Sequence, residues 1–229
     1  MQKDTNVVYI ARVKGSAYEM GFAYGQMFGD YVAKNINNMQ DYLRSKLKSA
    51  LTDYGVPFYM LDIVYAQIEP LIFYAADTNW QIAKPFVPQR FIDELQGITD
   101  GSNGTVTFEM VMRANILPEL TQAACSIVGA WGASTKDGRL LHLRALDWEP
   151  TAPVNEFPSV ILYEPSEEGS HAFTNIGFLG LIGSITAMSK IGISVGEKVI
   201  CCPSPGEWPE LPQITYNGKP WTFVLRDTI

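Results

Sequence analysis

Cysteine and histidine are scarce in this chain of 229 residues, which has three of the first and two of the second. Cys125, Cys201 and Cys202 do not make a disulfide framework, because the adjacent pair cannot both join one compact network without leaving Cys125 over. With only His142 and His171 to add, a zinc site of three or four nitrogen and sulfur ligands is all but excluded, and no metal or other cofactor is expected. Positive charge is also short: 17 Lys plus Arg against 24 Asp plus Glu give a net charge of −7. An acidic chain without a basic run repels a phosphate backbone, so nucleic acid is not an expected partner. No Gly-rich loop follows a strand and opens a helix, which removes a nucleotide-binding domain. The charged fraction of 18% and the missing Ala/Glu/Lys/Leu bias exclude a coiled coil and disorder as the main state. No internal repeat is visible. The N-terminus has no basic segment followed by a long apolar run, so a signal peptide is expected to have been removed or never present.

What remains is chain enough for a sizeable core, with 47% hydrophobic residues. Residues 7–13 carry the β-branched and aromatic character of a short strand. Ser16 and Glu19 then have the spacing of a capping box, and the helix they open is expected to run towards Leu51. Gly21, Gly25 and Gly29 clear a stripe on that helix at a cost of about 1 kcal/mol each relative to alanine, so another element is expected to press on it. Residues 57–80 are apolar enough to suggest a membrane span, but Asp62, Glu69 and Pro70 interrupt them. Two short helices are expected there, with most of Phe58, Tyr59, Ile63, Tyr65, Ile72 and Phe73 in the core. Further helices fit residues 88–101 and 107–115.

Past Leu120 the character changes to short β-rich segments divided by Gly, Pro, Asp and Ser: CSIVGAW, RLLHLRAL, SVILYEP, AFTNIGF and IGISVGEKV. Residues 136–139, KDGR, are a hairpin signal between the first two. Helices gathered first and strands second predict an α+β domain and not alternating βαβ units. Cys125 opens its strand behind two alanines, and Arg144 and Asp147 stand near the end of the next. An Arg and an Asp three apart do not share a face in regular pleating, so one of them is expected where the strand bends or ends. By themselves these residues are better read as a buried structural cysteine beside a local Arg–Asp ion pair than as a site.

The string CSIVGAW, the KDGRL turn and LHLRALDW resemble the N-terminal nucleophile (Ntn) cysteine hydrolases of the acid ceramidase and N-acylethanolamine acid amidase group, relatives of the acyl-transferase that makes penicillin. Two further stretches are similar to the same family: KGSAYEMGFAYGQMFGD to its early Gly-rich helical segment, and FLGLIGSITAMSKIGISVGEKV to its later strands ending in an Asn-Glu pair. The resemblance implies a four-layer αββα sandwich, with residues 1–124 as a mainly helical alpha-subunit-like segment and 125–229 as the first part of a beta-subunit-like domain. It also implies a nucleophile at Cys125, the second-strand arginine at Arg144, its aspartate at Asp147 and the glutamate at Glu197. Ala145 and Gly196 stand where the family has asparagines, and the first hairpin is longer. The family's oxyanion-hole asparagine lies further downstream, so the chain ending at Ile229 is expected either to be a piece of a longer protein or to lack a complete site.

The implied chemistry suits the residues. Cleavage of the 124–125 peptide by its own thiol would leave Cys125 with both a thiol and an α-amine, so no histidine is needed as base. Such an amine titrates near ~7.7–8.0 and a free thiol near ~8.5. Arg144 would favour the thiolate and a developing oxyanion, Asp147 would hold the amine, and Glu197 would support activation or stay a surface strand charge. The expected partners are a small-molecule or lipid amide, a membrane surface, and the paired chains left by cleavage, in a lysosomal or secreted setting where Asn103 of the Asn-Gly-Thr sequon bears a glycan. Two alternatives stay open: a Cys-His-Asp hydrolase using His142 without self-cleavage, and a non-catalytic lipid- or partner-binding relative.

Overall fold

Ser16 turns the chain out of its first strand in the computed structural model, which describes residues 7–120, 124–147, 149, 151–198 and 216–229. Strand β1 (Tyr9–Gly15) hands over to helix α1 (Ala17–Asp53). The Ser16 hydroxyl accepts from the Glu19 amide and the Glu19 carboxylate accepts from the Ser16 amide at 2.8 Å, so the capping box forms as the spacing predicts. Helices α2 (Leu61–Ala83), α3 (Gln89–Gly101) and α4 (Phe108–Leu120) follow.

The glycine stripe of α1 meets α3 backbone to backbone. A Cβ at Gly21 would stand 2.2 Å from the Glu94 carbonyl oxygen, and one at Gly25 would stand 2.3 Å from that of Ile98. Helix α3 answers in kind, since Cβ atoms at Gly97 and Gly101 would lie 2.3 Å and 2.1 Å from the carbonyl oxygens of Tyr18 and Phe22. Neither row alone permits this approach. The glycines serve helix packing and not ligand contact.

Strands β2 (Ala124–Gly132) and β3 (Gly138–Asp147) form an antiparallel pair, closed at a turn where Gly132 and Gly138 take positive φ. Strands β4 (Pro158–Pro165), β5 (Phe173–Phe178), β6 (Thr186–Ser189) and β7 (Ser194–Gly196) join β1 in a five-stranded sheet of order β1-β4-β5-β6-β7. Only β1 with β4 is parallel; the other pairs are antiparallel. The architecture is mixed α+β with a helical N-terminal region. Because β1 lies in the sheet, residues 1–124 and 125–229 share one core, in which Val13, Tyr24 and Leu95 pack with Ile161, Tyr163 and Phe223.

Helix α5 (Trp221–Asp227) closes that core through Arg226. Its guanidinium donates to both carboxylate oxygens of buried Glu94, at 3.0 and 2.6 Å, and to the Ile182 carbonyl at 2.7 Å, while lying 4.5 Å from the centre of the Tyr163 ring. This fork needs arginine geometry.

Two expectations for residues 57–80 are overturned. After a short turn at Phe58–Met60, α2 runs unbroken through Pro70, because one proline removes a single hydrogen bond and neighbouring turns carry the helix past it. Most of the six aromatic and aliphatic groups expected in the core also lie outside it: Phe58, Tyr59 and Ile63 are 88, 78 and 63% exposed, and only Tyr65 of the six is buried. The helix has more apolar residues than one buried stripe can use. No helix among the described residues is long and apolar enough to cross a membrane. Asn103 sits exposed in a turn at φ 53°, while Cys201 and Cys202 lie outside the described residues.

The glycine contact gives a direct test. Gly25→Ala gains helix propensity of about 1 kcal/mol but drives a methyl into backbone, and it is expected to cost about 1–3 kcal/mol net in denaturant unfolding. Gln26→Ala, one residue away on the exposed side, is expected to stay within about 0.5 kcal/mol of the parent.

Candidate active site

Strand pairing decides which residues can meet. In the β2–β3 register Cys125 faces Leu146, Ile127 faces Arg144 and Gly129 faces His142. Directly opposed residues share a face, and so do residues two apart, so Cys125, Ile127, His142, Arg144 and Leu146 form one surface. That surface turns to the β7 end of the larger sheet. The other face carries Val128, Leu141 and Leu143, all well exposed.

Glu197 follows β7 directly, held by its amide donating to the Ile185 carbonyl at 2.8 Å. Its side chain is 7% exposed, so the reading of it as a surface charge does not hold. The Arg144 Nη2 donates to Glu197 Oε2 at 2.8 Å and to the Cys125 sulfur at 3.1 Å. The thiol in turn donates to the same carboxylate oxygen. Three residues far apart in sequence thus close a triangle around a fully buried sulfur.

The electrostatics differ from the expectation of a thiolate favoured by Arg144. Burial pushes the Cys125 thiol up, the hydrogen bond to Glu197 pushes the same way, and Arg144 pulls against them. The outcome is a thiol held above its ordinary pKa and hydrogen-bonded to a carboxylate.

Asp147 is not brought to the sulfur. It pairs with Ala124 across the strands, its side chain is on the opposite face, and its Oδ2 accepts from the Ser126 hydroxyl at 3.2 Å. It therefore stands beside the 124–125 backbone, not beside the thiol. His142 shares the Cys125 face as alternation requires, yet its Nδ1 meets the Ser194 hydroxyl; His171 is exposed. Lys198 is a neighbour that sequence reasoning missed: its ammonium donates to the Cys125 carbonyl. Nothing in a single Lys after Glu197 signals that contact.

Beside the triangle lies a cavity of about 200 Å³ with an almost wholly apolar wall, drawn from α1, α2, α4 and residues 179–185. Ile72 and Phe73 of α2, Met39 of α1 and Leu146 of β3 line it, and Arg144 and Glu197 are among its few polar groups. An apolar chain can lie in such a space with its polar end at the ion pair.

No family model matches the chain. It is similar to Protein dcd1B of Dictyostelium discoideum, 32% identical over 231 residues that make up 99% of this chain and 43% of that protein. Protein dcd1A of the same organism is 31% identical over 239 residues, 98% of this chain and 50% of that one. An "Uncharacterized protein" of Archaeoglobus fulgidus is 27% identical over 220 residues, 85% of this chain and 33% of its own length. The chain thus spans no more than half the length of these relatives.

Thiolate absorbance, read as the difference from a Cys125→Ala chain, tests the electrostatics. Glu197→Gln is expected to lower the Cys125 pKa and Arg144→Gln to raise it; no movement, or movement in the reverse sense, contradicts the triangle. The folded thiol titrates above a free one, so its share of stability is whole below about pH 8.5 and is lost as pH rises through the folded value.

Proposed function

We propose that this chain carries the nucleophile of a self-processing cysteine amidohydrolase that cleaves a linear, non-peptide amide, an N-acyl lipid of the ceramide or N-acylethanolamine type. The observation that carries the reading is the buried Cys125 thiol, bonded to Glu197 and Arg144 at the head of its strand and next to an apolar cavity. A sulfur with no exposure cannot meet a substrate carbonyl. Processing must therefore come first, which suits a zymogen.

In the self-cleavage step Glu197 takes the thiol proton and the sulfur attacks the carbonyl carbon of residue 124. The new C–S bond replaces the C–N bond, the Cys125 nitrogen leaves as an amine with the proton that Glu197 returns, and water hydrolyses the thioester. Residue 124 keeps a carboxylate, and Cys125 becomes a terminus. Asp147, which pairs with residue 124 across the strands, would hold the new ammonium once the strand end is free. In turnover the Cys125 sulfur attacks the substrate amide carbon while the α-amine moves the proton to the leaving amine. Water, activated by the same α-amine, then releases the fatty acid. Arg144 stabilises the oxyanion of each step.

The finer fold belongs to the same proposal: a four-layer αββα sandwich in which the β2–β3 pair is part of a second sheet. Ile176 and Met188 on the outer side of the five-stranded sheet, and Val128 and Leu143 on the hairpin, are exposed apolar groups that such layers cover. A lysosomal or secreted setting, a glycan at Asn103 and contact of α2 with a membrane surface complete the reading.

A panel of N-acyl amides of one amine and increasing acyl length, assayed with processed full-length protein, tests it. Rates are expected to climb with acyl length and to fall at least about 10³-fold in Cys125→Ser. Equal rates for short and long chains sink the lipid part alone; inactivity on every amide favours a binding module.

A further inference from the structure

Lys198 meets Cys125 at the backbone and not at the sulfur, and the proposed reaction gives it no part. Its ammonium donates to the Cys125 carbonyl oxygen. A hydrogen bond brings the Nζ within about 3 Å of that oxygen, and standard backbone dimensions put a residue's own oxygen and nitrogen about 3 Å apart. The ammonium therefore stands within about 6 Å of the Cys125 nitrogen. In a strand the N–H and C=O of one residue also point to the same edge, so Lys198 lies on the side to which that nitrogen turns. The carbonyl belongs to residue 125, which stays paired with Leu146, so a cut before Cys125 leaves this contact intact.

Cleavage would turn the nitrogen into an α-amine, which is a base only while it is unprotonated. A free one titrates near ~7.7–8.0, so in an acidic compartment nearly all of it would be ammonium. The charges around residue 125 decide the matter. Arg144 and Glu197 are spent on each other in a buried pair at 2.8 Å. Glu149, two residues past β3, is held by Lys46 of α1, and His142, beyond Arg144 on the same face, meets the Ser194 hydroxyl. Asp147, across from residue 124, favours the ammonium, and Lys198 is the cation that opposes it.

We infer that Lys198 is a positioning residue: its ammonium, fixed on the Cys125 carbonyl, keeps the neighbouring α-amine in the free-base form that moves the proton. This rests on the amidase reading for the cut that creates the amine. The residue after Glu197 thereby sets the pH at which the terminus can act as a base.

The ¹⁵N resonance of the terminal amine, followed against pH in processed full-length protein labelled with ¹⁵N-cysteine, reads this with no substrate present. The amine is expected to titrate below the ~7.7 of a free one, with Lys198→Met raising the midpoint by about one unit and Lys198→Arg restoring it. The ascending limb of kcat/KM is expected to move to higher pH by the same amount, since it reports the base of the free enzyme. A merely structural lysine would lower the rate at every pH and leave the midpoint in place. If Lys198→Met does not fold or process, the parent titration decides, and a midpoint at or above ~7.7 overturns the inference. An unmoved midpoint in Lys198→Met, or one that Lys198→Arg fails to restore, overturns it as well. A moved midpoint in a processed protein that hydrolyses no amide would sink the amidase reading and leave Lys198 in place, and hydrolysis with an unmoved midpoint would do the reverse. A chain that never gains a terminus at Cys125 would sink both.

Discussion

The ion pair between Arg144 and Glu197 joins the β2–β3 hairpin to the end of the larger sheet, two parts that share few other contacts among the described residues. A two-stranded hairpin is marginal by itself, and the β2–β3 pair presents its outer face to solvent. Its inner face meets the larger sheet through polar contacts gathered at the end of β7: Arg144 and Cys125 with Glu197, His142 with Ser194, and Lys198 with the Cys125 carbonyl. Taking both charges out of water costs several kcal/mol per ion, which the pairing recovers only in good geometry. Here the thiol occupies part of that geometry. The sulfur, the guanidinium and the carboxylate are therefore held as one unit.

That unit sits at the boundary between an apolar cavity and a strand end. The cavity side explains why helix α2 matters although so much of it is exposed: Ile72 and Phe73 line the space, while Ile63, Leu71 and Tyr74 face out. Arg113 of α4 fixes α2 in place, donating to both carboxylate oxygens of Asp77 at 2.8 and 2.7 Å. Helix α1, which supplies Met39, is fixed just as firmly by the glycine contact with α3. In the proposed reading this rigidity lets the wall of the cavity keep its shape after the chain is cut beside residue 125.

Local signals in the sequence were legible where local physics decides. Ser16 and Glu19 form the predicted cap, and KDGR closes the predicted hairpin, because each depends on residues within one turn. The glycine stripe announced a close neighbour, yet its partners Gly97 and Gly101 belong to a helix some 70 residues on, and spacing within one helix does not name the other. Residues 57–80 misled because apolar composition says that a face is buried only when a neighbour exists to bury it. The site divides the same way. Cys125 and Arg144 share a face by strand alternation alone, but the burial of Glu197 depends on the packing of β7 against a hairpin 53 residues earlier. Alternation also separates Asp147 from the sulfur, and only the resemblance had placed them together.

Intact mass and N-terminal sequencing of the complete protein, wild type beside Cys125→Ala, test the central claim, that the Cys125–Arg144–Glu197 unit prepares the thiol to cut its own chain and become a terminus. The account predicts a fragment beginning at Cys125 in the wild type, an uncut Cys125→Ala chain, and amide hydrolysis only in the cut form. A processed chain that begins elsewhere, or an uncut chain that hydrolyses amides, would contradict it.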